Sequence, residues 1–155
     1  MNNGVVTALL FGVADQRYGL DVSQIVEVVP AVRLRTIPGT PDYVAGVFRY
    51  KGSIVPVIDL HQMLSGRPAE KRYSTRVILV RFSGSTGIER VLGLLVERAD
   101  QGLTEPVGEL QSSGIATPDA PFLGKLATLG KETIQFVKIE HLIPDKLRDQ
   151  LFTED

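Results

Sequence analysis

The 155 residues carry 17 Lys and Arg against 18 Asp and Glu, a net charge of -1, and no cysteine. Near-neutral charge gives no electrostatic footprint for a nucleic-acid backbone, and the missing thiols exclude disulfides, thiolate metal sites and a cysteine nucleophile. No apolar run approaches the ~18–20 residues of a membrane-spanning helix, so no direct membrane insertion is expected. The opening Met1-Asn2-Asn3-Gly4 lacks a basic region followed by an apolar stretch, so no secretory signal is expected and the chain reads as cytoplasmic. A chain of this length can bury roughly 70% of its unfolded surface and hold a core without staples.

Thr7 to Val13 predicts a strand, with Leu9, Phe11 and Val13 on one face and Ala8 and Leu10 on the other. Both faces are apolar, as in a barrel or sandwich interior. Asp15-Gln16 turns the chain and Arg17 to Leu20 returns it. Gln24 to Val29 is a further strand stopped by Pro30, with Ile25, Glu27 and Val29 on one face and Val26 and Val28 on the other. Val32 to Ile37 is a weaker strand with Arg33 and Arg35 facing water, and Pro38 to Asp42 is a rigid loop.

The stretch from Tyr43 to Leu60 has the clearest pattern. Val44, Gly46, Phe48 and Tyr50 share one face of a strand, and Tyr43, Ala45, Val47 and Arg49 the other. Lys51-Gly52 suits a hairpin turn, because Gly52 takes positive φ at little cost. Ile54 to Ile58 is a β-branched return strand, and Pro56 without an N–H predicts an edge position or a bulge. Asp59 caps a short helix over Leu60, Met63 and Leu64, with Gln62 as in a capping box and Gly66 as its stop.

Ser65 to Ser74 is polar and charged, the best candidate for a boundary between two lobes. Arg76 to Phe82 and Ile88 to Glu97 form a second hairpin around Gly84-Ser85-Thr86-Gly87. Leu103 to Gly114 is ambiguous, with breaks at Thr104-Glu105-Pro106 and Ser112-Ser113-Gly114. Phe122 to Leu129 and Thr133 to Ile139 make a last strand pair, and a helical tail follows from Pro144, with Ile143, Leu147 and Leu151 in one stack. There is also an internal echo. Thr40-Pro41-Asp42 precedes Gly46 and Gly52, and Thr117-Pro118-Asp119 precedes Gly124 and Gly130, each Gly pair equally spaced and followed by an apolar strand and an acid-plus-Leu segment. A true repeat implies two small barrels of similar topology.

Catalytic patterns are thin. His61 and His141 have no metal-ligand spacing, no GxSxG elbow occurs, and Gly124 to Lys131 misses a phosphate loop by one residue, with Glu132 where Ser or Thr is needed. Gly84 to Gly87 lacks the helix a phosphate site uses. No enzyme, cofactor or metal is expected. Glu27 and Lys51 need a reason: either they are an exposed edge carboxylate and a turn lysine, or they lie together in a groove and orient a partner. Gly46, Gly52 and Gly93 serve turns and close strand packing, or the approach of another chain.

The motifs resemble the CheW family of chemosensory adaptors. The resemblance rests on Tyr18-Gly19-Leu20-Asp21-Val22, Ile25 to Val29, Ile37 to Val47, and above all Lys51 to Leu60 with its Ile-Val-Pro-Val-Ile-Asp-Leu run. Val77 to Val80, Val91 to Glu97, Phe122-Leu123-Gly124 and Ile139 to Leu142 support it more loosely. It implies a mainly β fold of two SH3-like five-stranded barrels around a shared core, spanning residues 7–143 as one domain with 144–155 as a helical tail. It also implies a non-catalytic adaptor between the cytoplasmic tip of methyl-accepting chemoreceptors and the regulatory domain of a CheA-type histidine kinase, recruited to receptor arrays and able to meet other CheW-like proteins. The receptor-binding positions it implies are Ile25, Glu27, Val28, Gly46, Arg49, Lys51, Gly52, Thr75, Arg76 and Gly93. Arg49 stands where the family usually has Asn, and Lys51 where it usually has Arg, which suggests a non-standard, non-flagellar chemosensory pathway. Lys cannot make the planar bidentate contact of Arg. The competing class is a stand-alone small β-barrel that binds a ligand or nucleic acid. The balanced charge and the lack of interleaved basic and aromatic residues on one strand face argue against it.

Overall fold

Among the described residues, alternating apolar runs punctuated by Gly and Pro give ten strands in two five-stranded sheets. The computed structural model describes residues 6–83, 87–99, 104–107, 110–112, 114–115 and 117–152. The elements in order are β1 Val6–Val13, β2 Gln16–Asp21, β3 Ile25–Pro30, β4 Val44–Tyr50, β5 Ser53–Asp59, α1 Leu60–Ser65, β6 Arg76–Phe82, β7 Arg90–Val96, β8 Thr104–Val107, β9 Leu123–Leu129, β10 Glu132–Val137 and α2 Asp145–Leu151. One sheet runs β8-β1-β2-β10-β9 and the other β3-β6-β7-β5-β4.

Laid side by side, the two orders match position for position. In each sheet one pair is parallel, β10 with β2 and β5 with β7, and the rest are antiparallel. The hairpin β4–β5 followed by α1 corresponds to β9–β10 followed by a single helical turn, Ile139–His141. Even the isolated bridges correspond: Arg35 to Val47 on β4, and Gln111 to Leu126 on β9. The Gly echo therefore marks equivalent hairpins, with Gly52 and Gly130 at positive φ in their turns. In chain order the lobes are circular permutations of each other. The first and last strands build one barrel and the middle of the chain builds the other.

The core divides accordingly. Ala8, Leu10, Ala127, Ile134 and Phe136 fill one barrel, and Val55, Val57, Val77 and Leu79 fill the other. Between them the opposite strand faces, among them Leu9, Phe11, Leu20, Ile58, Ile78, Phe82, Leu94 and Val137, form one shared core. Leu147, Leu151 and Phe152 of the α2 region pack on this shared core.

Several expectations need correction. The segment 65–74 is no lobe boundary, because it links α1 to β6 within one barrel. The chain passes between barrels at Val22–Gln24, where Asp21 accepts from the Ser23 N–H, and again between β7 and β8. Residues 32–37 form no strand, only the bridge through Arg35, although Arg33 and Arg35 face water as expected. Pro56 is not at an edge, since β5 lies between β7 and β4. Its partner Val47 spends both backbone groups on Arg35, so the missing N–H faces β7, just before the β5–β7 ladder begins at Val57. Thr104-Glu105-Pro106 is strand rather than break, and Pro106 is accommodated because β8 is an edge. The first turn is Ala14-Asp15, with Ala14 at φ 53, and Gln16 already belongs to β2. The loop 84–86, and with it most of Gly84 to Gly87, lies outside the described residues.

Candidate protein-interaction surface

Two bulges set the geometry. Pairing shifts between Ile25 and Glu27 on β3, and between Val44 and Gly46 on β4. Each bulge flips the alternation that follows it. Ile25 and Val28 thus both pack on the shared core, while Val29, Ala45, Phe48 and Tyr50 pack on the barrel interior. The simple faces read from sequence for residues 24–29 and 43–50 fail at these points. One result is that Glu27, two residues before Val29, shares the side on which Tyr50 packs.

The β4–β5 hairpin then delivers its residues to Glu27. Lys51 and Gly52 both have left-handed φ, 48 and 82, as a two-residue hairpin turn requires. The Tyr50 hydroxyl donates to Glu27 Oε1. Lys51 Nζ lies 3.9 Å from the same oxygen and 5.3 Å from the centre of the Tyr50 ring. The bond to the Glu27 carboxylate, more than any other influence, holds the Tyr50 phenol above its ordinary pKa. Because β3 and β4 are the two edges of their sheet, this trio ties the edges together across the barrel seam. Lys51 is 77% exposed and Glu27 45%, so the ion pair contributes only ~0–1 kcal/mol. It fixes orientation more than it stabilises. Tyr50 was missed from sequence, although its place directly before the turn, on the face of Phe48, was the available signal.

The other candidate positions divide by burial. Arg49 Nη1 reaches the Gly52 carbonyl at 3.5 Å, at the limit of a hydrogen bond, so Arg49, Lys51 and Gly52 form one exposed hairpin tip. Gly46 has φ +145, and a Cβ there would stand 2.4 Å from the Arg35 carbonyl oxygen. Gly93 lies within β7, where a Cβ would meet Val57 and Val77 at 3.0 Å. Thr75 is buried: its hydroxyl donates to the Glu70 carbonyl at 2.5 Å and accepts from the Arg72 N–H at 3.0 Å. Arg76 donates to the Thr75 carbonyl at 2.9 Å. It pairs across the sheet with Pro30, three residues and ~10 Å along β3 from Glu27. Glu27, Lys51, Arg49 and Gly52 are thus brought to one end of the barrel, and Thr75 and Arg76 toward the other.

A groove of about 500 Å³ opens at the hairpin end, lined by Val26, Ile54, Val55, Val91 and Phe152 with Arg81, Glu89 and Arg90. Val26 is 40% and Ile54 56% exposed, an unusual display of apolar side chains from strands. Phe152 stacks on Phe82 with centroids 6.1 Å apart, and the Arg90 guanidinium lies 5.9 Å from its ring centre. The arrangement offers apolar area edged by charge, suited to a protein surface rather than to covalent chemistry. His61 is held against the Arg67 carbonyl at 2.7 Å and Glu97 at 3.7 Å. Among the described residues no group of three His, Cys, Asp or Glu side chains could share a metal ion, and no helix is long and apolar enough to cross a membrane.

Comparison with known proteins gives a consistent result. Residues 7–147 match the model of the CheW-like domain. The chain is 27% identical over 137 residues to the chemotaxis protein CheW of Klebsiella aerogenes, covering 87% of this chain and 80% of that one. It is 38% identical to the protein FrzA of Myxococcus xanthus over 77 residues, 50% of this chain and 46% of the other. Among solved structures it superposes on the scaffolding protein TtCheW of Thermoanaerobacter tengcongensis with a TM-score of 0.76 at 27% identity, covering 90% of this chain and 88% of that one.

Proposed function

The chain belongs to the CheW-like domain family, and on that premise we propose that this chemotaxis scaffold couples the cytoplasmic tips of methyl-accepting chemoreceptors to a CheA-type histidine kinase. The observation that carries the reading is the likeness of both barrels, over nine-tenths of the chain, to a scaffolding protein. The adaptor works by surfaces alone. One barrel face meets the kinase regulatory domain, itself CheW-like, and the hairpin-end surface around Glu27, Tyr50 and Lys51 meets the receptor. Recruitment to receptor arrays follows from holding both at once. Arg49 and Lys51 tune the receptor contact toward a non-flagellar pathway: Lys51 reaches Glu27 as a single point charge, where an arginine could engage it in two places.

The test is a calorimetric titration of the chain against the kinase regulatory domain and a receptor tip fragment from the same cell. Saturable micromolar binding to each is expected. Lys51→Glu should weaken the receptor contact about tenfold, ~1.4 kcal/mol, with the kinase contact and the fold unchanged. A folded Lys51→Glu protein with wild-type receptor affinity removes the trio from the contact, and no binding to either partner refutes the adaptor role.

A further inference from the structure

The segment between α1 and β6 is polar and irregular by sequence, yet its backbone is tied down at almost every step. The Ala69 N–H donates to Asp59 Oδ2 at 2.9 Å and the Glu70 N–H to Glu97 Oε2 at 2.6 Å. Thr75 closes the loop on Glu70 and Arg72. The Ala99 N–H donates to the Ser74 carbonyl at 3.2 Å, and the Arg76 guanidinium donates to the Tyr73 carbonyl. Buried or half-buried carboxylates from the ends of β5 and β7 thus hold the loop in one shape. At its tip, Tyr73 is 100% exposed. The other three tyrosines are buried or half-buried.

Charge is concentrated here. Residues 67–76 hold Arg67, Lys71, Arg72 and Arg76 against Glu70 alone, in a chain whose net charge is -1. Arg72 is paired with Glu70 at 2.5 Å, whereas Arg67 and Lys71 have no ion-pair partner among the described residues. A solvated loop needs neither an exposed aromatic ring nor a fixed backbone. A docking loop benefits from both: Tyr and Arg are enriched among the few residues that carry most binding energy at protein interfaces, and a backbone already ordered loses little entropy on binding.

We propose that the 66–75 loop is a second docking surface, fitted to an acidic protein face with an apolar notch for the Tyr73 ring. It lies at the end of the barrel away from the Lys51 hairpin, so both surfaces can be engaged together. The proposal rests on the adaptor reading, which supplies protein partners for both ends.

The test uses the full chain, with the kinase regulatory domain and the receptor tip fragment as separate titrants at 50 and 300 mM salt. Tyr73→Ala removes a fully exposed side chain, and Arg67→Glu/Lys71→Glu reverses two exposed charges that have no ion-pair partner among the described residues, so both proteins should keep the wild-type melting temperature. Each is expected to weaken binding to one titrant at least tenfold, the double variant more so at low salt. Wild-type affinity for both titrants within twofold overturns this proposal and leaves the adaptor role standing. Failure of the wild-type chain to bind either titrant overturns both. A loop effect seen only with vesicles of 3:1 phosphatidylcholine and phosphatidylserine, or only with a 20-nucleotide single strand, also overturns it, in favour of a membrane or nucleic-acid contact.

Discussion

Asp59 is the residue on which the loop and the first helix both depend, and removing it gives a large, calculable effect. The residue is 5% exposed and its carboxylate accepts two bonds, Oδ1 from the Gln62 N–H at 3.0 Å and Oδ2 from the Ala69 N–H at 2.9 Å. Losing the helix cap costs about 1 kcal/mol, and losing a buried hydrogen bond to a charged group about 1.5–3 kcal/mol. Asp59→Ala should therefore destabilise by ~2.5–4 kcal/mol and lower Tm by roughly 5–15 °C for a chain of this size. Asp59→Asn keeps an acceptor for Gln62 but turns an amide toward Ala69, so its loss should be about half as large. The assay is urea unfolding followed by circular dichroism, with amide exchange at Gln62 and Ala69 read separately. Asn should speed exchange at Ala69 only, and Ala at both. If both variants stay within ~0.5 kcal/mol of wild type, or if Asn costs as much as Ala, the two bonds do not act as described.

The remaining expectations are simpler. Gly93→Ala places a methyl group 3.0 Å from Val57 and Val77 inside the barrel, and should cost about 1–3 kcal/mol by overpacking. Receptor affinity per folded molecule should stay at the wild-type value, and a loss of affinity without a loss of Tm would return Gly93 to the contact surface. Burial raises the Tyr18 phenol above its ordinary value, so the unfolded chain ionises first. The stability it contributes is whole below pH ~10 and is lost as pH climbs toward the higher native value. Urea midpoints at pH 8 and 11 should fall less for Tyr18→Phe than for wild type, and equal falls would deny the linkage.

Much of this architecture was legible because local chemistry dictated it. Lys51-Gly52 could only turn, Asp59 could only cap, and Gly66 ends α1 with φ 80, as a helix stop should. The capping box was half right. Asp59 receives the Gln62 N–H, but the Gln62 side chain goes forward to the Gly66 carbonyl at 3.1 Å rather than back to the cap, because the Asp59 N–H already donates to the Tyr43 carbonyl at 2.6 Å. What failed depended on partners distant in sequence. No pattern within β3 reveals that Val26 is bulged, since the bulge exists only against β6. Pro56 reads as an edge or bulge residue until Arg35 is seen to take both hydrogen bonds of Val47. Thr104 to Val107 reads as a break until β1 supplies its ladder. Glu27 stood out as a carboxylate within an apolar strand and Lys51 as a turn lysine, but their meeting across the seam needed a closed barrel.

The duplicated topology sharpens the functional argument, because equivalent positions differ in chemistry. The turn equivalent to Lys51-Gly52 is Gly130-Lys131, which reverses the order of cation and glycine. Where Tyr50 donates to Glu27, the matching residue at the end of β9 is Leu129, which packs on the interior of its own barrel. That hairpin instead sets Glu132 against Arg17 at 3.8 Å, a pair within one ladder rather than across a seam. A symmetric binder would repeat its contact residues along with its fold. Here the backbone is repeated and the exposed side chains are not, so the two barrels present different surfaces, as the proposed coupling of two unlike partners requires.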